Sequence, residues 1–149
     1  MTLTNRTRAW GFIQSEANPF RSRDRVTLDG SSAHLLGASL VAGTVLGQIT
    51  ASGKFVPSPK TGSDGSQVAC AILGEDTDVL GGDMVVAVLA RDAEVRAEDL
   101  TYDASVALLA DQQAKWAQLK GSGGATGFGR LFVRVQGGVQ VGAPHTTVP

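Results

Sequence analysis

The residues able to do chemistry are few and scattered. Cys70 is the sole cysteine and sits in the apolar run 68–73. A single thiol cannot close an internal disulfide, so it reads as a buried structural residue. His34, beside Leu35-Leu36, has no second ligand nearby in sequence and reads as a surface or capping residue. Glu75-Asp76-Thr77-Asp78 puts three carboxylates in four residues, which raises the question of calcium. The spacing lacks the alternating ligands and distal glutamate of an EF-hand, so it reads as a solvated turn. Glu98 and Asp99 are neighbours, and adjacent carboxylates need not face one pocket. Residues 121–127, Gly-Ser-Gly-Gly-Ala-Thr-Gly, have the look of a phosphate loop. They lack the Gly-Lys-Ser/Thr ending and do not lie between a strand and a following helix. There is no nucleophile elbow, no histidine pair and no cysteine ligand set. The expectation is a protein that is not an enzyme and needs neither cofactor nor metal.

Charge is more informative. The 149 residues carry a net charge of −1, but unevenly. Residues 1–25 hold Arg6, Arg8, Arg21, Arg23 and Arg25 against Glu16 and Asp24, a balance of +3. The remainder holds eight basic and twelve acidic residues, a balance of −4. A basic arm on an acidic body points to an acidic partner surface for the arm. The arginines come without a recognition helix or an aromatic sheet motif, which argues against a nucleic-acid module. No apolar run reaches the length of a membrane span, and the N-terminus has no apolar signal region.

The elements that must position these residues read mainly as strands. Nineteen glycines and 5% aromatic residues suit short strands and turns better than a thick helical core. A chain of this length can bury about 70% of its unfolded surface in one domain. The centre is residues 41–56. Two apolar runs, 44–51 and 54–56, flank Ser52-Gly53, and Gly53 can take the positive φ of a hairpin turn. Gly43 and Gly47 bracket Thr44-Val45-Leu46 at points where a side chain would crowd a neighbouring strand. Pro57 and Pro59 end the ladder. Further strands are expected at 25–28, 67–73, 84–90 and 131–135, with 67–73 apolar enough for burial on both faces. Residues 58–66 read as a surface loop, and the mixed charges of 91–100 read as a solvated face. Asp103 reads as a helix N-cap, with the helix running to about Lys120 and Gly121 stopping it. Leu109, Gln112, Trp116 and Leu119 form its stripe. Lys115 and Lys120 suit its C-terminal dipole.

Residues 1–25 have no clean period and are expected to be extended. Trp10 and Phe12, two apart, would share one face of a strand. Such an arm could add to a partner's sheet edge with its aromatic residues as anchors. Gly137-Gly138 suits a turn that pairs 139–141 back on 131–135, and the tail 142–149 reads as poorly ordered.

The wording of the chain resembles the lambda-type head decoration proteins of tailed bacteriophages. The resemblance runs through Ser15-Glu16-Ala17-Asn18, Arg21-Ser22-Arg23-Asp24 and Val26-Thr27-Leu28. It continues in Ala42-Gly43-Thr44-Val45-Leu46-Gly47, Ser52-Gly53-Lys54-Phe55-Val56-Pro57 and Asp64-Gly65-Ser66-Gln67. Ala71-Ile72-Leu73, Glu75-Asp76-Thr77-Asp78, Gly81-Gly82-Asp83 and Arg91-Asp92-Ala93-Glu94-Val95 complete it. No one piece is diagnostic, but the ordered set is fairly specific. The extra hairpin at 137–149 departs from the family pattern.

From residues and resemblance together, the expected fold is α+β. It has a small, mostly antiparallel barrel-like or sandwich-like body with one main helix and an extended N-terminal arm. The expected divisions are 1–25 as capsid-binding arm, 26–136 as body and 137–149 as C-terminal hairpin and tail. The resemblance implies a homotrimeric cement protein on the outer surface of the expanded phage head. It would sit at three-fold positions on the major capsid protein and stabilise the shell against packaged DNA, without touching nucleic acid or membrane. The arm contacts expected are Arg8, Trp10, Phe12, Ile13, Arg21 and Arg23. The alternative is a virion-surface adhesion module that binds carbohydrate through the acidic body or the C-terminal hairpin. A tail-tube or joining component is a third reading.

Overall fold

The computed structural model describes residues 8–31, 35, 39–121 and 127–135. Arg6, His34, the glycine-rich 122–126 and the C-terminal 136–149 lie outside them, and so does the expected hairpin at 137–149. The described chain is mostly β-sheet with one main helix, as expected.

The hairpin at the centre forms where Ser52-Gly53 permits it. β4 (Val45–Gln48) and β5 (Phe55–Pro57) pair antiparallel, and Gly53 turns with φ +73. Its N–H donates to Ile49 O, and Ile49 N–H donates to Lys54 O. The bracketing glycines are required by close approach. A Cβ on Gly47 would stand 2.0 Å from Ser66 O, and one on Gly43 2.3 Å from Asp99 O.

Around this hairpin β2 (Arg23–Leu28), β6 (Ala69–Leu73) and β8 (Met84–Leu89) complete a closed five-stranded ring in the order β2-β5-β4-β6-β8. All its pairings are antiparallel except the short β2–β5 junction at Leu28 and Phe55. β6 is buried at every position. Cys70, Ala71 and Leu73 join Val26, Leu28, Leu46, Phe55 and Val88 in one core. Ala69 and Ile72 join a second core instead. Its continuous apolar run reflects a strand covered on both sides.

The second core is closed by the expected helix and the expected strand near 131–135, together with two strands that the sequence did not announce. β9 (Arg91–Arg96) is the middle strand of a three-stranded sheet, with β1 (Ile13–Glu16) antiparallel on one side and β10 (Gly129–Arg134) parallel on the other. The mixed charges of 91–96 therefore do not mark a free surface. Ala93 and Val95 are buried between them, which is the alternation of a half-buried strand. α2 (Leu109–Gly121) packs over this sheet through Trp116 and the fully buried Leu119. It starts at Leu109, a little over one turn later than an N-cap at Asp103 would place it. Asp103 caps a local turn, accepting from the N–H and Oγ of Ser105 at 3.2 and 2.5 Å. An aspartate satisfies a turn as readily as a helix start. The acidic 75–78 contains β7 (Thr77–Asp78), which pairs with β3 (Ser39–Leu40). Asp76 accepts from Ala42 N–H.

Candidate functional site

The N-terminal segment is built into the body from Arg8 onward. Trp10 adopts φ +59 in a turn in which Gly11 N–H donates to Arg8 O and Ile13 N–H to Trp10 O. The turn is anchored by Trp10 N–H donating to Gly74 O at 2.8 Å. The indole fills the space over Gly74, where a Cβ would meet the ring at 2.4 Å. Phe12 is fully buried in the second core with Leu89, Val95 and Leu131. Ile13 opens β1, opposite Val95.

Extended backbone over 1–25 is thus corrected for the described part: it contains a turn, a strand, a helical turn and the first half of β2. Trp10 and Phe12 do not sit on one strand face. Their rings lie 6.3 Å apart and both pack on the second core, but Trp10 itself takes a left-handed φ in the turn before β1, so the two do not alternate along a strand. The physical reason is burial. The aromatic side chains that looked like anchors for a partner find their apolar surroundings in the chain's own body. The division at 25/26 falls inside β2.

Asn18-Pro19 starts α1 (Pro19–Ser22), with Asn18 Oδ1 accepting from Phe20 N–H at 2.9 Å and Pro19 at the first helical position. This turn leaves Phe20 98% exposed. It was the functional candidate that the sequence reading missed. Read as a helix cap, Asn-Pro would have found it.

Below it, Glu16 gathers the cap. Arg23 donates to both its carboxylate oxygens, at 2.6 and 3.2 Å, and Ser22 Oγ donates at 2.6 Å. The Arg23 guanidinium holds the Glu16 carboxyl below its usual range, against the opposing effect of burial and with help from Ser22. The same guanidinium lies 3.9 Å over the Trp10 ring, so Arg23 is a brace more than a free cation.

Arg21 points outward, two-thirds exposed, and pairs with Asp92 at 3.0 Å. Asp92 also receives Arg130, whose hydrogen bond holds its carboxyl below the ordinary value. Arg91 donates to Gly127 O at 2.6 Å, to Asp24 at 2.8 Å and to Arg21 O. Arg8 is exposed. The expected contact residues therefore divide. Arg8 and Arg21 stand on the surface, Trp10, Ile13 and Arg23 are half-covered, and Phe12 is enclosed.

Among the described residues no three His, Cys, Asp or Glu side chains converge as a metal group. No helix among them is long and apolar enough to cross a membrane. Burial pushes the Cys70 thiol up to about 12, with a small opposing effect from the Gln48 backbone, so it is no nucleophile.

No curated protein matches the chain. Residues 2–124, which include the folded N-terminal segment, the ring and α2, match the family model for the bacteriophage lambda head decoration protein D. The chain therefore belongs to this family of structural proteins of the phage capsid.

Proposed function

We propose that the protein is a trimeric cement protein. It binds the outside of the expanded head at three-fold positions and reinforces the shell against packaged DNA. The observation that carries this reading is the family match across 2–124. It spans the N-terminal segment together with the body, so the body is the family's scaffold and not a borrowed fragment.

The capsid contact is assigned to the N-terminal segment. Residues 1–7 precede the turn at Trp10, and Arg8, Trp10, Ile13, Arg21 and Arg23 present polar or apolar surface beside it. Phe12 serves the contact by fixing the root of the arm, because its ring already lies in the core. Ordering one residue costs about 1–2 kcal/mol, while burying one large apolar side chain returns about 1.5–3 kcal/mol. A single arm binds weakly on that balance. Three arms on one trimer bind together, with avidity of about 10²–10⁴.

The test is co-sedimentation with empty expanded heads of the cognate phage. The full chain is compared with a chain beginning at Arg8 and with Arg21→Ala. A chain beginning at Val26 would lose Phe12, β1 and half of β2, and would confuse binding with folding. Saturation near three copies per three-fold position, reduced by removal of 1–7, is the expected result. Equal binding to unexpanded heads refutes the maturation-dependent contact, and unchanged binding without 1–7 moves the contact to the body.

A further inference from the structure

β8 is paired along its whole length on one side and only in part on the other. β2 accompanies it from Leu89 to Met84, whereas β6 meets it only at Leu89 and Val88. After Leu73 the chain leaves this ladder, and β7 pairs with β3 instead. Part of β8 is thereby left as an edge. Ala90 N–H donates to Ser22 O on the β2 side, and Gly74 N–H donates to Ala87 O on the other. Backbone groups alternate sides along an antiparallel strand. The N–H and C=O of Val85 therefore face the same way as the C=O of Ala87, away from β2. Among the described residues no backbone group pairs with them there.

Beside this edge runs an open groove of about 310 Å³, between 84–87 and 75–78, with Leu73 at its head. Glu75, Asp76 and Asp78 line it, and no basic residue does. Asp76 is oriented by the Ala42 N–H and Asp78 by the Ser39 hydroxyl, each at 2.8 Å. Val85 stands 67% exposed on the same strand. An unpaired strand edge is a template for another extended backbone. The carboxylates select its charge, because only a basic strand gains ion pairs on docking there.

We propose that the groove binds an extended, basic segment of another protein by strand addition to β8. The segment's backbone pairs with Val85 over about four residues. Its lysine or arginine side chains meet Glu75, Asp76 and Asp78, and its apolar ones cover Val85. The proposal goes beyond the capsid reading and does not depend on it.

The experiment titrates the full chain with a fluorescent peptide of alternating lysine and valine, followed by anisotropy and by amide shifts. A second peptide has glutamate for lysine. The basic peptide should bind and shift the amides of 75–78 and 84–87, and the acidic one should not bind. Binding should weaken at least about fivefold at 0.5 M salt, where ion pairing is screened. Val85→Pro removes the open N–H and no bond to β2, and should weaken binding about tenfold. Glu75→Lys changes an exposed side chain and should weaken it several-fold with unchanged thermal unfolding, so the proposal stays open to test if Val85→Pro misfolds. Equal binding of both peptides overturns the proposal, and so does binding that Glu75→Lys leaves intact. Amide shifts at these positions that grow with protein concentration alone give the groove to a second copy and also overturn it. Peptide binding by a chain beginning at Arg8, but not by the full chain, gives it to the chain's own first residues and overturns it likewise.

Discussion

The ammonium nitrogen of Lys115 lies 2.9 Å from Ser58 Oγ inside the protein, with the lysine only 2% exposed. Pro59 O at 2.6 Å and Gln67 O at 2.5 Å take its other protons. The lysine thus ties α2 to both ends of the loop that joins β5 to β6. Burial lowers its pKa, while Asp103 and Asp111 act in the opposite sense. Lys115→Met keeps the stem but leaves two carbonyls without their donor. Each such loss costs about 1–3 kcal/mol, so urea denaturation should show a loss of about 3 kcal/mol. A loss of less than about 0.5 kcal/mol would show that water replaces the ammonium.

Phe12 should behave as a core residue. Phe12→Ala is expected to cost about 3–5 kcal/mol, read as a lower denaturation midpoint with an unchanged slope. Arg8→Ala, on the surface, should leave stability where it was. Equal effects of the two would mean that the root of the arm is not part of the folding unit.

Gly47 has a different reason to be small. A Cβ there would stand 2.0 Å from Ser66 O and 3.0 Å from Val68 O. Gly47→Ala must push β4 away from the segment 66–68 beside it, at a cost of about 1–3 kcal/mol. Thermal unfolding checks this, and an unaltered midpoint would show that the loop yields freely.

The Glu16–Arg23 pair gives a pH dependence. The Glu16 carboxyl is lower in the folded protein than its reference value of 4.5. The folded state therefore binds fewer protons than the unfolded one between those two values. The pair's contribution is complete above about pH 4.5 and is lost as pH falls through the folded value. Arg23→Ala should flatten the acid limb of stability against pH in that window. A limb of unchanged steepness would assign acid sensitivity to other carboxylates.

Cys70 should be silent towards a thiol reagent at pH 8 in the native protein and react fully once unfolded. Its thiol is buried and its pKa is raised to about 12, so thiolate is scarce as well as inaccessible. Reaction of the native chain at the rate of a free thiol would place Cys70 in an opening part of the ring.

The sequence by itself determined what depends on neighbours along the chain. Ser52-Gly53 fixed the β4–β5 turn, because only a few residues accept that backbone geometry. Gly43 and Gly47 marked close approaches, and the unbroken apolar run before Leu73 marked a strand covered twice. The ordered motifs carried the family. Tertiary structure decided where side chains of ambiguous type would go. Trp10 and Phe12 have the same apolar surface whether they face a partner or the chain's own core, and only the presence of Gly74, Val95 and Leu131 settled the matter. Arg91–Arg96 looked like surface because charge at alternate positions says nothing about which strands lie on either side. Lys115 matched a helix dipole in sequence, yet three carbonyl and hydroxyl oxygens from a loop some fifty residues away made it a buried tie. Local preferences act through a few bonds and are written in the chain. Burial and pairing join residues far apart in sequence, so they exist only once the chain has closed on itself.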